Sequence, residues 1–206
     1  MSIGPYIIGK DIDEIVCINL EHRIDRREYM LKEFKDYPFS FYNAQPHDNP
    51  VRGCLESHIN VIKYAKAKGY KNIMILEDDV KIMMDLKTVA PFPDDWTMIY
   101  LGGLCTHIID WSNVIPGSGP QNWIRGHIYC DHAYIINSSV FDKIIEDGWK
   151  FKGAIDDFYT SVIHSQYKCY IKEQYIIQKD DWSDIDIKHK WTDYKWPRVG
   201  DNFEIP

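Results

Sequence analysis

NIMILEDDV at 72–80 places three consecutive carboxylates, Glu77, Asp78 and Asp79, directly behind a short apolar run. A run of that length without polar alternation reads as a strand buried on both faces. EIVCINL at 14–20 has the same character, and FSFYNA at 39–44 reads as another strand. Between those two, DRREYMLKEFKD at 25–36 predicts a helix, with Asp25 as its cap, Met30, Leu31 and Phe34 as its apolar face, and Tyr37-Pro38 as its stop. From Gly53 to Lys68, Leu55, Ile59, Ile62 and Ala65 recur at helical spacing, and Gly69 ends the segment. Strand, helix, strand, helix, strand is the order of an α/β fold with a mainly parallel sheet and helices on its faces. Ligands of such sheets lie at the carboxyl ends of strands, which is where the triplet falls.

Downstream, WTMIYLGG at 96–103 and HIYCDHAYIIN at 127–137 read as strands, with helices expected over 138–147 and 155–166. The Gly, Pro, Ser and Asn density of WSNVIPGSGPQNW marks 104–125 as a long loop, a length often associated with a functional lid. After KCYIKEQYIIQ at 168–178, QKDDWSDIDIKHKW at 178–191 mixes carboxylates with Trp182, His189 and Trp191 and has the composition of a mobile flap.

The 206 residues fit one domain, and 45% hydrophobic with 27% charged residues is an ordinary globular balance. Seven Trp and fourteen Tyr supply flat faces with polar edges, suited to sugars and bases as well as to core packing. A net charge of -7 argues against nucleic-acid binding, which needs a basic surface. Five dispersed cysteines without a CxxC pair fit reduced thiols in a cytoplasmic compartment. No stretch approaches the ~18 apolar residues of a membrane span, so neither signal peptide nor transmembrane segment is expected.

Adjacent carboxylates repel, so Glu77-Asp78-Asp79 is either a solvated acidic turn or a site for a hard divalent cation, Mg²⁺ or Mn²⁺. In INLEHRIDRREYM at 18–30, Arg23, Arg26 and Arg27 follow the first strand, where guanidiniums match a diphosphate or merely form the wet face of a helix. Ser57 and His58 lie in GCLESHINVIKYA at 53–65; no acid partner completes a nucleophilic triad, and a hydrolase is rejected. In GAIDDFYTSVI at 153–163, Asp156 and Asp157 open a helix, one placed to cap it and the other free to act on substrate.

Taken in order, these segments resemble glycosyltransferase family 25, which includes bacterial lipooligosaccharide galactosyltransferases, collagen hydroxylysine galactosyltransferases and enzymes of large DNA viruses. INLEHRIDRREYM is similar to the family's opening Ile-Asn-Leu and Asp-Arg-Arg turn, GCLESHINVIKYA to its Gly-Cys-x-x-Ser-His helix, and MILEDDV to its Leu-Glu-Asp-Asp-Val metal motif. DHAYIINSSVFDKII, AIDDFYTSVI and WSDID are similar to three later segments. FYNAQPHDN departs from the family's Ala-x-x-Gly at the end of the second strand. The compact length and Lys/Ile/Asp-rich style are similar to those of a viral capsid-glycan enzyme.

The resemblance implies a GT-A-type single domain over 1–206, with a mixed, mostly parallel central sheet flanked by helices. It implies Mn²⁺ (or Mg²⁺) and a UDP-sugar, with a hexose (glucose, galactose or a deoxyhexose) passing to a glycan or glycoprotein hydroxyl. Asp79 with Glu77 or Asp78 would hold the metal, and His189, or failing that His164, would complete its shell from the C-terminal side. Asn19, Leu20 and Arg23 would line the nucleotide site, with Arg26, Ser57 and His58 nearby. Asp157 is the first candidate for general base and Asp156 the second. Two other classes remain open: a metal-dependent nucleotidyltransferase and a non-catalytic carbohydrate-binding domain.

Overall fold

The structure, a computed structural model, describes residues 11–179 apart from 111–113, 116–118 and 121. The first half follows the expected order: β1 (Glu14–Leu20), α1 (Ile24–Glu33), β2 (Ser40–Ala44), α2 (Pro50–Lys68) and β3 (Asn72–Glu77). β1 lies between β2 and β3 and is parallel to both. β3 buries side chains on both faces, with Ile73 and Ile75 in one core and Met74 and Leu76 in the other. That two-sided burial is why its sequence is an unbroken apolar run.

Helix α2 starts at Pro50, earlier than Gly53, because the Asn49 side chain accepts the Arg52 N–H and proline tolerates the first helical position. Gly69, in the left-handed region at φ 72°, closes it. Two expectations for α1 are corrected. Asp25 is not the cap: Arg23 occupies that position, and its guanidinium takes both Asp25 oxygens at 3.0 and 3.1 Å. Nor is Leu31 on the inward face, being 55% exposed; Arg26, Met30 and Phe34, spaced at i, i+4 and i+8, form the buried stripe.

The chain continues through β4 (Val80–Ile82), β5 (Met98–Tyr100), β6 (Leu104–Ile108), β7 (Val114–Ile115), β8 (Gly119–Pro120), β9 (Ile124–Tyr129) and β10 (Ala133–Asn137). Then come α3 (Phe141–Gly148), α4 (Ile155–Phe158), β11 (Cys169–Ile171) and β12 (Ile176–Gln178). Eight strands form the central sheet in the order β2-β1-β3-β10-β5-β11-β9-β6. Carrying the pairings outward from β1 sets β10 and β9 against the other six, so the sheet is mixed and mostly parallel. One face packs on α2, α3 and α4, and the other on α1 and the β4–β12 pair.

The segment 127–137 is two strands, not one. Cys130, with φ 65°, reverses the chain between β9 and β10, directly before the polar pair Asp131-His132. Residues 104–125 are likewise not wholly a loop, since β6 opens the stretch and pairs with β9. The helix expected over 155–166 is a four-residue α4 that widens into a π-helical turn over Tyr159–Ile163.

Gly102 decides where β12 can run. A Cβ there would lie 1.8 Å from the Ile176 carbonyl oxygen, on the backbone that holds Gln178 over β4. Gly102→Ala is expected to destabilise the fold by at least about 1–3 kcal/mol, the usual cost of overpacking, read as a lower urea midpoint at unchanged m-value.

Candidate active site

The carboxyl ends of β1 and β3, the β2–α2 connection and the first turns of α2 enclose a cavity of about 520 Å³. Glu77, Asp78 and Asp79 form part of its wall, and each carboxylate has a different environment. Asp78 is saturated: the Asn19 amide donates to Oδ2 at 2.7 Å and the Arg26 guanidinium to Oδ1 at 2.6 Å. Arg26 is only 5% exposed, so this is a buried ion pair with directional hydrogen bonds. Burial still raises the Asp78 pKa above the usual carboxylate range, against the charge of Arg26 and the Asn19 bond.

Asp79 is less provided for. Its Oδ2 accepts a 3.1 Å hydrogen bond from the Gln178 amide and sits 3.8 Å from Arg26, whereas Oδ1 is buried with no hydrogen-bond partner. Burial first, and the Glu77 charge second, push its pKa up to about 8. Glu77 is half-buried, with Oε1 3.4 Å from His58 Nε2 and 3.7 Å from Cys54 Sγ, and with Oε2 3.4 Å from the same Gln178 amide. Burial opposes its ionisation, but the His58 side chain outweighs that and holds the carboxyl below its ordinary range. His58 is turned by a 2.8 Å contact between Nδ1 and the Tyr134 hydroxyl, which in turn lies 2.9 Å from that of Tyr159.

Beside the triplet, the β9–β10 reversal contributes Asp131. Its Oδ1 accepts from the Tyr100 hydroxyl at 2.7 Å, while Oδ2 is buried without a hydrogen-bond partner. Burial, then the charge of Asp156, push Asp131 well above the carboxylate range. Asp156 accepts the Cys130 N–H at 2.8 Å, and burial raises its pKa too. Asp156 therefore does not cap α4; Ala154 holds the N-cap position, and no side chain bonds there. Asp157 is exposed on the same turn.

The structure thus gathers Asn19, Arg26, His58, Glu77, Asp78 and Asp79 into one network. Leu20, Arg23 and Ser57 line the cavity, although the Ser57 hydroxyl bonds back to the Gly53 carbonyl at 2.7 Å. Arg27 donates to Asn43 at 3.0 Å and to Asn19 Oδ1 at 3.4 Å and lies over the Phe41 ring. His164 is not brought to the carboxylates. Its Nδ1 accepts the Ile128 N–H at 3.3 Å and its Nε2 meets the Tyr100 hydroxyl at 2.9 Å, so both ring nitrogens are engaged; burial lowers its pKa to about 3. His189 lies outside the described residues.

Sequence reasoning missed Gln178, Cys54 and Asp131. Gln178 carries no local signal. Cys54 stands four residues before His58, the spacing of one helix face, and that could have singled it out.

A sheet of this order with an acid-lined cavity at its strand ends is a GT-A-type fold. It superimposes on a crystal structure of a glycosyltransferase involved in glycosylation of the major capsid of PBCV-1 with a TM-score of 0.52, covering 78% of this chain and 80% of that one at 8% identity. No protein-family model matches the chain. It is nonetheless similar to family 25 enzymes. Procollagen galactosyltransferase 1-B of Xenopus laevis is 24% identical over 163 aligned residues, taking in 59% of this chain and 25% of the relative. Procollagen galactosyltransferase 1-A of the same frog is 23% identical with the same coverage. The chain spans about a quarter of the length of these curated relatives. The chain is thus glycosyltransferase-like in sequence and has a GT-A-type fold.

Removing Arg26 would strand a buried Asp78 carboxylate. Arg26→Ala is expected to cost about 3–5 kcal/mol of stability in urea unfolding, and an Arg26→Met, Asp78→Leu double variant should recover much of it, because breaking a buried pair costs more than replacing it.

Proposed function

We propose that the chain, as one GT-A-type domain over residues 1–206, is a metal-dependent glycosyltransferase. It moves a hexose (glucose, galactose or a deoxyhexose) from a UDP-sugar to a hydroxyl of a glycan or glycoprotein. The observation that carries this reading is the buried, unpartnered Oδ1 of Asp79 beside Glu77 on the wall of a 520 Å³ cavity. An unsatisfied oxygen on one of two neighbouring carboxylates fits a hard divalent ion, Mn²⁺ or Mg²⁺, better than it fits a solvated acidic turn. Glu77 and Asp79 would hold the ion, with His189 as the proposed further ligand. When bound, it neutralises charge developing on the departing diphosphate. Galactose is the first donor to try, since the curated relatives are named as galactosyltransferases. Five cysteines, all unpaired, support a reducing, cytoplasmic setting, and among the described residues no helix is long and apolar enough to cross a membrane.

The chain's own residues divide the remaining work. Asn19 and Arg26 fix Asp78, which keeps the end of β3 rigid and places positive charge next to the donor cavity. Leu20 and Arg23 on the cavity wall would face the nucleotide, with Ser57 and His58 further in. A general base must take the acceptor's hydroxyl proton as its oxygen bonds the sugar carbon and UDP leaves. Of the two candidates, Asp156 lies beside Asp131 with its pKa raised by burial, and Asp157 is the exposed alternative.

A thermal-shift screen of UDP, GDP and CMP with and without Mn²⁺ tests the donor site. Selective UDP binding at 100 times Kd adds about 2.7 kcal/mol of stability. Only UDP with Mn²⁺ should raise the Tm, and Asp79→Ala should abolish the effect. Asp79 keeps its proton until about pH 8, so metal must compete with a proton below that, and the Mn²⁺-dependent shift should grow from pH 6 to pH 8. Loss of the requirement for Mn²⁺, or a product that is pyrophosphate rather than UDP, would overturn the reading.

For the transfer step, Asp156→Asn is expected to lower kcat by about 10²–10⁴-fold while Mn²⁺-dependent UDP binding persists. If Asp157→Asn does this and Asp156→Asn does not, the base is Asp157.

A further inference from the structure

We propose that Cys54, His58 and Glu77 form a second cation site, selective for a thiophilic ion such as Zn²⁺, and that filling it withdraws Glu77 from the hard-ion site. The first half stands on geometry alone; the second rests on the role given to Glu77 above. Cys54 and His58 are four residues apart on one face of α2, and Glu77 ends β3 opposite them. One ligand atom from each lies within 4.8 Å of the other two. All three line the 520 Å³ cavity, which leaves an open side for a fourth, water ligand.

The separations match a metal polyhedron. With Zn–S of about 2.3 Å and Zn–N and Zn–O of about 2.0–2.2 Å, tetrahedral angles put sulfur and carboxylate oxygen about 3.6 Å apart and nitrogen and oxygen about 3.4 Å apart. The corresponding distances here are 3.7 Å from Cys54 Sγ to Glu77 Oε1 and 3.4 Å from His58 Nε2 to the same oxygen. The 3.4 Å separation is long for the N–H···O hydrogen bond that would otherwise explain it. The other ring nitrogen of His58 is held by the Tyr134 hydroxyl at 2.8 Å, the outer contact that fixes a ligating imidazole with Nε2 toward the ion.

A sulfur, nitrogen and oxygen set discriminates by softness. It favours Zn²⁺ over Mn²⁺, which sits at the weak end of the divalent series and prefers oxygen. The two sites are thereby distinct in chemistry and joined through one carboxylate. Zn²⁺ at the first is expected to act as an antagonist of Mn²⁺ at the second.

Co²⁺ titrated alone into the full chain reads the site directly, through the intense near-ultraviolet absorption of a thiolate bound to cobalt. One equivalent should bring up the band, Zn²⁺ should bleach it, Cys54→Ser and Cys54→Ala should lack it, and Asp79→Asn should keep it. No band with excess Co²⁺, or a band that survives both Cys54 variants, overturns the site. Its coupling is read separately, in metal-dependent UDP binding. Equimolar Zn²⁺ should weaken the Mn²⁺-supported UDP shift at least tenfold in apparent affinity for wild type but not for Cys54→Ser. A cobalt band with no such antagonism overturns the sharing of Glu77, and loss of the UDP shift in Mn²⁺ alone counts against the donor site rather than this one.

Discussion

Three consecutive carboxylates at the end of a strand buried on both faces have to be stabilised by something, and the buried pair of Arg26 with Asp78 does most of it. Arg26 reaches Asp78 because it lies on the inward stripe of α1 with Met30 and Phe34, a position an apolar residue would ordinarily take. Asn19, at the end of β1, completes the arrangement by donating to the other Asp78 oxygen. One ion pair therefore ties together the ends of β1 and β3 and the start of α1. Such a pair contributes little net stability once desolvation is counted, but it fixes which way the strand ends face.

β3 ends at Glu77 and the chain turns at Asp78 and Asp79, so their contacts rather than strand alternation distinguish the three carboxylates. Gln178 Nε2 touches both Glu77 and Asp79, Asn19 bonds Asp78, and Arg26 pairs with Asp78 at 2.6 Å while lying 3.8 Å from Asp79. Neighbouring acids of one motif thus acquire three chemistries. Asp78 is a saturated anchor, Glu77 is held ionised by the His58 side chain, and Asp79 retains a proton and an unsatisfied oxygen. Glu77 and Asp79, bridged by a neutral amide and with one Asp79 oxygen unpartnered, are the part of this network with most to gain from a cation.

Much of this was legible in the residues. The uninterrupted NIMIL run, the helical spacing in 53–68 and the carboxylates behind β3 each state their structure through a local rule. What was not legible depends on distant partners. Arg26 points inward only because Asp78 awaits it 52 residues away, and a lone helix pattern assigns arginine to solvent. The positive φ at Cys130 has no signal in a cysteine side chain, although Asp131-His132 beside it interrupts the apolar pattern. Gln178 enters the site through β12, which pairs with β4 across some 95 residues of chain and depends on the bare Cα of Gly102.

The same reasoning separates Asp156 from Asp157, which sequence alone could rank only by analogy. Both stand in the first turn of a four-residue helix, yet only Asp156 meets the β9–β10 reversal, where the Cys130 amide receives its carboxylate and Asp131 lies behind it. Asp131 is locked in turn to Tyr100, and Tyr100 to His164, whose Nδ1 accepts from the Ile128 backbone. Because the Tyr100 proton goes to Asp131, the contact with His164 requires Nε2 to be the protonated nitrogen, which leaves Nδ1 as the acceptor that the Ile128 amide needs. The chain of bonds is self-consistent only with a neutral imidazole, as its lowered pKa requires. It ends at two carboxyls, Asp131 and Asp156, whose ionisation burial resists. His164, the alternative metal ligand that the family resemblance implied, is by this geometry part of the scaffold behind the proposed base.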